Sequence, residues 1–306
     1  MTKGYLVSEF GGPEVMVWDT LNLGALAADA VRVRVGASGI NFAETRMRAG
    51  DYSGQELPFV MGMEVAGTIE EVGEAVTGLS RGDRVLGRAR GAHADVVDCD
   101  PDHLMLLPDN LSFVQGAAIP VGWLTAWHAL YTVGGMKAGD RILVEAVGGS
   151  VGSAALALAK QAGCWVLGTA SRDEKLSQAA SLGCDAVVNY TRESVSEQVA
   201  RLTEGQGMDI GLMTIGDATA DDLIDSMGMD GRVVMFGSTG GREITFNLRI
   251  GILNIQLLSM SISTSPAFMT QTMSDFRTRA LPLFASGELE PVVDTVLPMS
   301  DLVRAH

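Results

Sequence analysis

Valines and arginines alternate in Val31-Arg32-Val33-Arg34-Val35, so the valines share one face of a strand and the arginines point away. Residues 65–72 and 84–87 read as further short strands, set off by turns such as Ser80-Arg81-Gly82-Asp83. Several short strands at this spacing predict a β-barrel or sandwich. Beyond residue 120 the rhythm changes. The apolar run Arg141-Ile142-Leu143-Val144 leads into a glycine cluster and an alanine- and leucine-rich helix over 154–161. Strands over 164–168, 186–188, 208–213 and 232–236 then alternate with helices over 173–181, 195–203 and 220–227. Such alternation predicts a parallel, doubly wound sheet, which binds ligands beyond the carboxyl ends of its strands. The run from Ile252 to Ile262 reads as a late sheet strand, too apolar to remain an open edge. After about residue 265 the pattern is mixed, with one long helix over 268–286 and an extended piece over 291–294.

Composition narrows the partners. The chain has 306 residues, 47% hydrophobic and 19% charged, which is too apolar for a disordered chain. Its net charge of −15 makes nucleic acid and anionic membrane surfaces poor partners. Residues 110–136 carry no Asp, Glu, Lys or Arg, yet Pro120, Gly122 and Gly134-Gly135 interrupt them; they read as a buried segment between domains, not a membrane span. Cys99, Cys164 and Cys184 are scattered and form no CxxC pair, which fits a reducing cytoplasm. The first residues meet an acid, Glu9, before any apolar stretch of signal-peptide length, so a cytoplasmic location is expected.

The glycine turn carries the candidate chemistry. Val144-Glu145-Ala146-Val147-Gly148-Gly149-Ser150-Val151-Gly152 lies between an apolar strand and a helix, where a dinucleotide fingerprint belongs. Gly149, Ser150, Val151 and Gly152 would bring backbone amides and a helix N-terminus to a pyrophosphate. The end of the next strand bears on the cofactor. An NAD site normally carries Asp or Glu there for the ribose hydroxyls. This chain has Thr169-Ala170-Ser171-Arg172-Asp173-Glu174-Lys175, with no acid at the strand end. Ser171, Arg172 and Lys175 suit a 2′-phosphate, so NADPH is expected.

Five separated motifs resemble one family. They are Gly39-Ile40-Asn41-Phe42-Ala43-Glu44, the stretch Pro58-Phe59-Val60-Met61-Gly62-Met63-Glu64-Val65-Ala66-Gly67, Gly82-Asp83-Arg84-Val85, Leu124-Thr125-Ala126-Trp127-His128-Ala129-Leu130 and the glycine turn. Their order resembles the medium-chain dehydrogenases/reductases, and most closely the zinc-independent quinone oxidoreductase (zeta-crystallin-like) branch. The resemblance implies an α/β protein with a GroES-like β-barrel catalytic domain from 1–121 and 265–306 and a Rossmann domain over 122–264, with the cofactor in the cleft between them. It also implies that Asn41, Tyr52 and Thr125 lie near the nicotinamide as catalytic residues, and that Tyr190, Gly237 and Ser238 join the cofactor-binding set. An amide and a phenol can both donate to a carbonyl oxygen that gains charge as hydride arrives.

Departures from the family pattern set the remaining expectations. Where the alcohol dehydrogenase branch holds zinc with cysteine and histidine, this chain has Asn41 and Met63, and it lacks the four-cysteine lobe. Amide and thioether do not replace thiolate and imidazole, so no metal is expected. Glu145 and Met213 stand at unusual positions in the dinucleotide half, and Arg46 replaces a cleft tyrosine. The chain stops at Arg304-Ala305-His306, before the glycine-lysine strand that usually closes the barrel, so either truncation or a different closure is expected. The expected function is NADPH-dependent reduction of quinones or α,β-unsaturated carbonyls by a homodimer. The alternative is a nucleotide-binding member of the fold with weak or repurposed chemistry.

Overall fold

Antiparallel ladders account for every strand in the first third of the chain. The structure is a computed structural model and describes all residues except Met1, Ser53, Arg242 and Pro266. Its strands there are β1 (Thr2–Val7), β2 (Met16–Leu21), β3 (Val31–Ala37), β4 (Phe59–Val60), β5 (Glu64–Val72), β6 (Arg84–Arg88), β7 (Val96–Cys99) and β8 (Leu104–Leu106). They form two sheets, in the orders β2-β1-β4 and β7-β3-β5-β6-β8. In β3 the alternation holds where it was sharpest: Val31 and Val33 are buried and Arg34 is exposed. Arg32 lies between its sheet neighbours, with Nε donating to Asp98 at 2.7 Å and Nη1 to Glu71 at 3.2 Å. Val65, Ile69, Val85, Val97 and Leu104 complete the apolar cluster around the two valines. These residues belong to one compact unit, Met1–Val121 with Arg277–His306.

The second unit is Gly122–Phe276. Its sheet is six-stranded and parallel, from β9 (Arg141–Val144), β10 (Trp165–Ala170), β11 (Ala186–Asn189), β12 (Met208–Met213), β13 (Met227–Met235) and β14 (Gln256–Ser259), in the order β11-β10-β9-β12-β13-β14. Helices Ser150–Gln161, Asp173–Ser181, Val195–Leu202 and Asp217–Asp225 connect successive strands. The chain winds outward from β9 to β11 and then returns to lay β12 on the other side of β9. The topological switch therefore falls between β9 and β12, where a crevice opens beyond the strand ends.

Several expectations about elements need correction. The late strand is confined to Gln256–Ser259, because Arg249–Ile252 turns as a short helix and Asn254 takes a φ of 52°. The 268–286 helix is real but uneven, with wide turns at Phe268–Thr272 and Phe276–Ala280. Pro282 supplies no N–H to the second of these turns, so regular helix resumes only at Leu281–Ser286. Residues 291–294 form no strand. Residues 265–276 group with the second unit. Residues 110–136 fold as short segments, Phe113–Ala117, Pro120–Trp127 and the wide turn His128–Val133. Among the described residues, no helix is long and apolar enough to cross a membrane.

Candidate functional site

The glycine turn owes its shape to close backbone packing. Ala146 has a φ of 49°, and a Cβ added to Gly152 would sit 2.3 Å from its carbonyl oxygen and 2.7 Å from Val147 Cα. Only glycine fits there. Gly149 is the N-cap of Ser150–Gln161, so the amides of Ser150, Val151 and Gly152 are the first-turn donors that have no intrahelical acceptor. Unpaired amides at a helix start favour an anion. Helix Pro120–Trp127, which holds the buried Thr125, presses close to this end: a Cβ on Gly122 would meet Ser150 Oγ at 2.3 Å.

The cationic residues gather beside this turn. A Cβ on Gly148 would lie 2.7 Å from both Cβ and Cδ of Lys175, so the lysine stem runs directly over the glycines. Ser171 and Arg172 are exposed on the loop after β10, and Arg172 is the N-cap of Asp173–Ser181. Asp173 faces away from a cofactor role. It accepts from Asn189 Nδ2 and from Arg192 Nη1, each at 2.7 Å, and these two bonds hold its carboxyl below the usual range. Arg192 thus joins the basic group, a residue that sequence spacing did not single out. Tyr190 is half-buried after β11; it packs against the sheet's apolar cluster and lines a small cavity of about 50 Å³ with Glu145 and Thr169.

Glu145 has a defined task at the switch point. Its buried carboxylate accepts the N–H groups of Thr214 at 2.7 Å and Ile215 at 2.9 Å, and the Thr219 hydroxyl at 2.5 Å. It therefore ties the end of β9 to the loop after β12. Burial pushes its carboxyl up, while the three donors pull it down. The loop after β13 closes on the same segment. A Cβ on Gly237 would sit 2.4 Å from the Thr214 carbonyl oxygen, and beyond Ser238 the Gly240 N–H donates to the Ile215 carbonyl at 2.7 Å.

The first unit holds a different kind of site. Asn41 precedes helix Phe42–Ala49 and is buried between two carboxyls. Its Nδ2 donates to Glu64 Oε1 at 2.7 Å and, more weakly, to Glu44 Oε1 at 3.4 Å. Its amide is thus engaged chiefly by Glu64. Glu64 Oε2 accepts the Val121 N–H at 2.7 Å. Burial pushes the Glu64 carboxyl up to about 7, against the pull of these two donors. Tyr52 lies half-buried in the loop beyond the same helix and makes no side-chain hydrogen bond among the described residues. Arg46 stacks over the Phe42 ring, 5.6 Å from its centroid, and pairs with Asp51 at 3.2 Å. A cavity of about 370 Å³ in this unit, lined in part by Asp29, Thr77, Asp102 and Arg277, includes none of the expected site residues.

Metal ligation was tested on donor chemistry. Asn41 turns its nitrogen to two carboxyls and Met63 offers only a thioether, so the position does not suit zinc. Elsewhere in the unit, Glu44, His93 and His306 bring a carboxylate oxygen and two ring nitrogens within 4.8 Å of one another. Both rings already have partners: His93 Nε2 faces Glu44 Oε2 at 2.6 Å, and His306 Nδ1 accepts from Arg48 Nε at 3.3 Å.

Comparison with known proteins agrees with this geometry. Residues 150–286 match the model of a zinc-binding dehydrogenase family, and residues 27–118 match the alcohol dehydrogenase GroES-like domain. The chain is 31% identical to the quinone oxidoreductase of Homo sapiens, over all of this chain and 93% of that protein. A quinone oxidoreductase structure from Pseudomonas syringae superposes with a TM-score of 0.90 at 31% identity, covering 100% of this chain and 95% of that one. An Escherichia coli quinone oxidoreductase complexed with NADPH superposes with a TM-score of 0.86 at 29% identity, with the same coverage.

Proposed function

Because the chain belongs to the medium-chain dehydrogenase/reductase superfamily, in its quinone oxidoreductase branch, we propose that this oxidoreductase transfers hydride from NADPH to a quinone or an α,β-unsaturated carbonyl, without zinc. The observation that carries the cofactor choice is Lys175 lying over Gly148, with Ser171 and Arg172 on the adjacent loop and no acid at the end of β10. The first-turn amides of Ser150, Val151 and Gly152 would hold the pyrophosphate, and the basic side chains would hold the 2′-phosphate. When bound, NADPH supplies the hydride. Tyr52, which also acts on Arg88 through space, would donate its hydroxyl to the acceptor oxygen as charge develops there. Asn41 keeps its amide on Glu64 and Glu44 and holds the start of its helix in place.

A conjugated acceptor suits a site without a Lewis acid. Its negative charge spreads over oxygen and carbon as hydride arrives, so hydrogen-bond donors can supply the remaining stabilisation. The reading of weak or repurposed chemistry rested partly on Glu145 and Arg46. Both have structural occupations, one on the Thr214–Ile215 amides and one on Phe42 and Asp51.

Two further features belong to this proposal. Among the described residues strand β14 pairs only with β13, and its outer edge would pair with a second copy, giving a homodimer. The three free thiols suit the cytoplasm as the working compartment. Fluorescence titration with NADPH and NADH tests the reading: NADPH is expected to bind at least about tenfold more tightly, and equal affinities would overturn the cofactor assignment.

A further inference from the structure

A hydrogen-bond inventory beneath Asn41 leaves one proton to place. Ser38 Oγ lies 2.8 Å from the Glu64 backbone carbonyl, which can only accept, so the serine proton is committed there. The same oxygen is 2.9 Å from His93 Nδ1, which must therefore carry a hydrogen and donate it. The other ring nitrogen, Nε2, is 2.6 Å from Glu44 Oε2. A neutral ring with its hydrogen on Nδ1 would set a bare lone pair against a carboxylate at that distance. One additional proton must lie between them.

We propose that His93 and Glu44 form a buried imidazolium–carboxylate pair, and that this pair is the positioning element that holds Asn41 and the start of helix Phe42–Ala49 in place. Every contact of Glu44 is a donor. Oε1 accepts the Asn41 backbone N–H at 3.1 Å and its Nδ2 at 3.4 Å, while Oε2 faces His93. Glu44 also sits in the first turn of the helix, where a negative charge is favoured. Both residues are almost fully buried, so an unpaired charge on either would be costly. The backbone of His93 is fixed as firmly as its ring. Its carbonyl accepts from Tyr5 N–H at 2.9 Å, its N–H donates to Met61 at 2.8 Å, and Gly62, with φ of 111°, passes too close for any Cβ.

The surrounding charges are consistent with a cationic ring. Glu64 lies across Asn41 and presents a second carboxyl to the same pocket. Arg88 and Glu44 both act on Glu64 through space. His306 follows the last helix, Leu302–Ala305; burial lowers its ring's pKa, Glu44 pulls it up, and His93 and Arg48 lower it further.

The positioning role rests on the proposed reductase activity; the protonation state does not. Nitrogen-15 spectra of histidine-labelled protein would read the ring directly. The expected result is a His93 ring carrying a hydrogen on both nitrogens. In Glu44→Gln the amide oxygen still accepts from Asn41 and the amide nitrogen donates to Nε2, so the ring should become neutral with one hydrogen, on Nδ1. A wild-type ring carrying a single hydrogen, or a ring that stays cationic in Glu44→Gln, would overturn the pair. Kinetics then test positioning: Glu44→Ala should lower kcat roughly ten- to a hundredfold at unchanged NADPH affinity, and Glu44→Gln should recover most of it. Equal loss in the two variants would refute positioning. Failure of wild type to oxidise NADPH would instead remove the activity and leave the spectra to decide the pair.

Discussion

The carboxylate of Glu145 accepts the backbone N–H of Ile215 at 2.9 Å, across the switch point of the parallel sheet. The bond joins residues seventy positions apart and, with those to Thr214 and Thr219, satisfies three donors from one side chain. Replacing Glu145 with alanine would leave two backbone amides of that loop without their acceptor. The loss of unfolding free energy should be about 2–3 kcal/mol, read by denaturant melts. Glu145→Gln should cost less, since its amide oxygen still accepts from the backbone and its nitrogen can donate to Thr219. Equal stability of the wild type and the alanine variant would remove Glu145 from this role.

Glu64 sets a pH dependence of stability. Its carboxyl titrates at about 7 in the folded protein, against an ordinary value of 4.5, and the cause is burial. Between those values the folded state binds more protons than the unfolded state, so this group's contribution falls as pH rises through the window. The full effect is on the order of 3 kcal/mol. Denaturant melts at pH values on either side of the window should show wild type losing stability toward alkaline pH, and Glu64→Gln should flatten that slope. An unchanged slope in the variant would place the proton elsewhere.

The basic group beside the glycine turn should discriminate between cofactors. Lys175→Ala and Arg172→Ala are each expected to weaken NADPH roughly tenfold, the loss of one charge-assisted hydrogen bond, and to leave NADH affinity unchanged. Arg192→Ala should do the same to a smaller degree, because Arg192 is shared with Asp173. Titration calorimetry on wild type and the three variants gives the comparison. Parallel losses for both cofactors would mean that these residues do not contact the 2′-phosphate.

Tyr52→Phe removes the proposed donor and nothing else. Turnover should fall roughly a hundredfold with cofactor affinity preserved. Asn41→Ala should behave differently, since it takes donors from two buried carboxyls: its first effect is on stability, and its loss of activity follows from that. Tyr52→Phe at the wild-type rate would end the hydroxyl's role.

Local signals made much of this fold readable. Period-two valines marked β3, and alternating strands and helices marked the sheet order's basic unit, because both depend on near neighbours along the chain. The glycine turn was legible for the same reason. What the sequence hid were pairings at a distance. Glu145 stood only as an unusual residue in the dinucleotide half, and its partners Thr214 and Ile215 lie 69 and 70 positions away. Asn41 looked like an available donor until Glu64, 23 positions away, took its amide. His93 gave no sign of its link to Glu44, 49 positions earlier. The apolar run at 252–262 overstated its strand because Asn254 adopts a left-handed backbone that hydrophobicity does not reveal.

The central claim is hydride transfer from NADPH to a conjugated acceptor. It is tested most directly by mixing the purified protein with NADPH deuterated at the transferable position of its nicotinamide and a panel of quinones and α,β-unsaturated carbonyls, following cofactor absorbance and the mass of the products. The account predicts that NADPH is consumed one-for-one with a conjugated acceptor, and that a reduced enone carries the deuterium at its β-carbon. No NADPH consumption with any acceptor in the panel, or an enone product without the label, would contradict it.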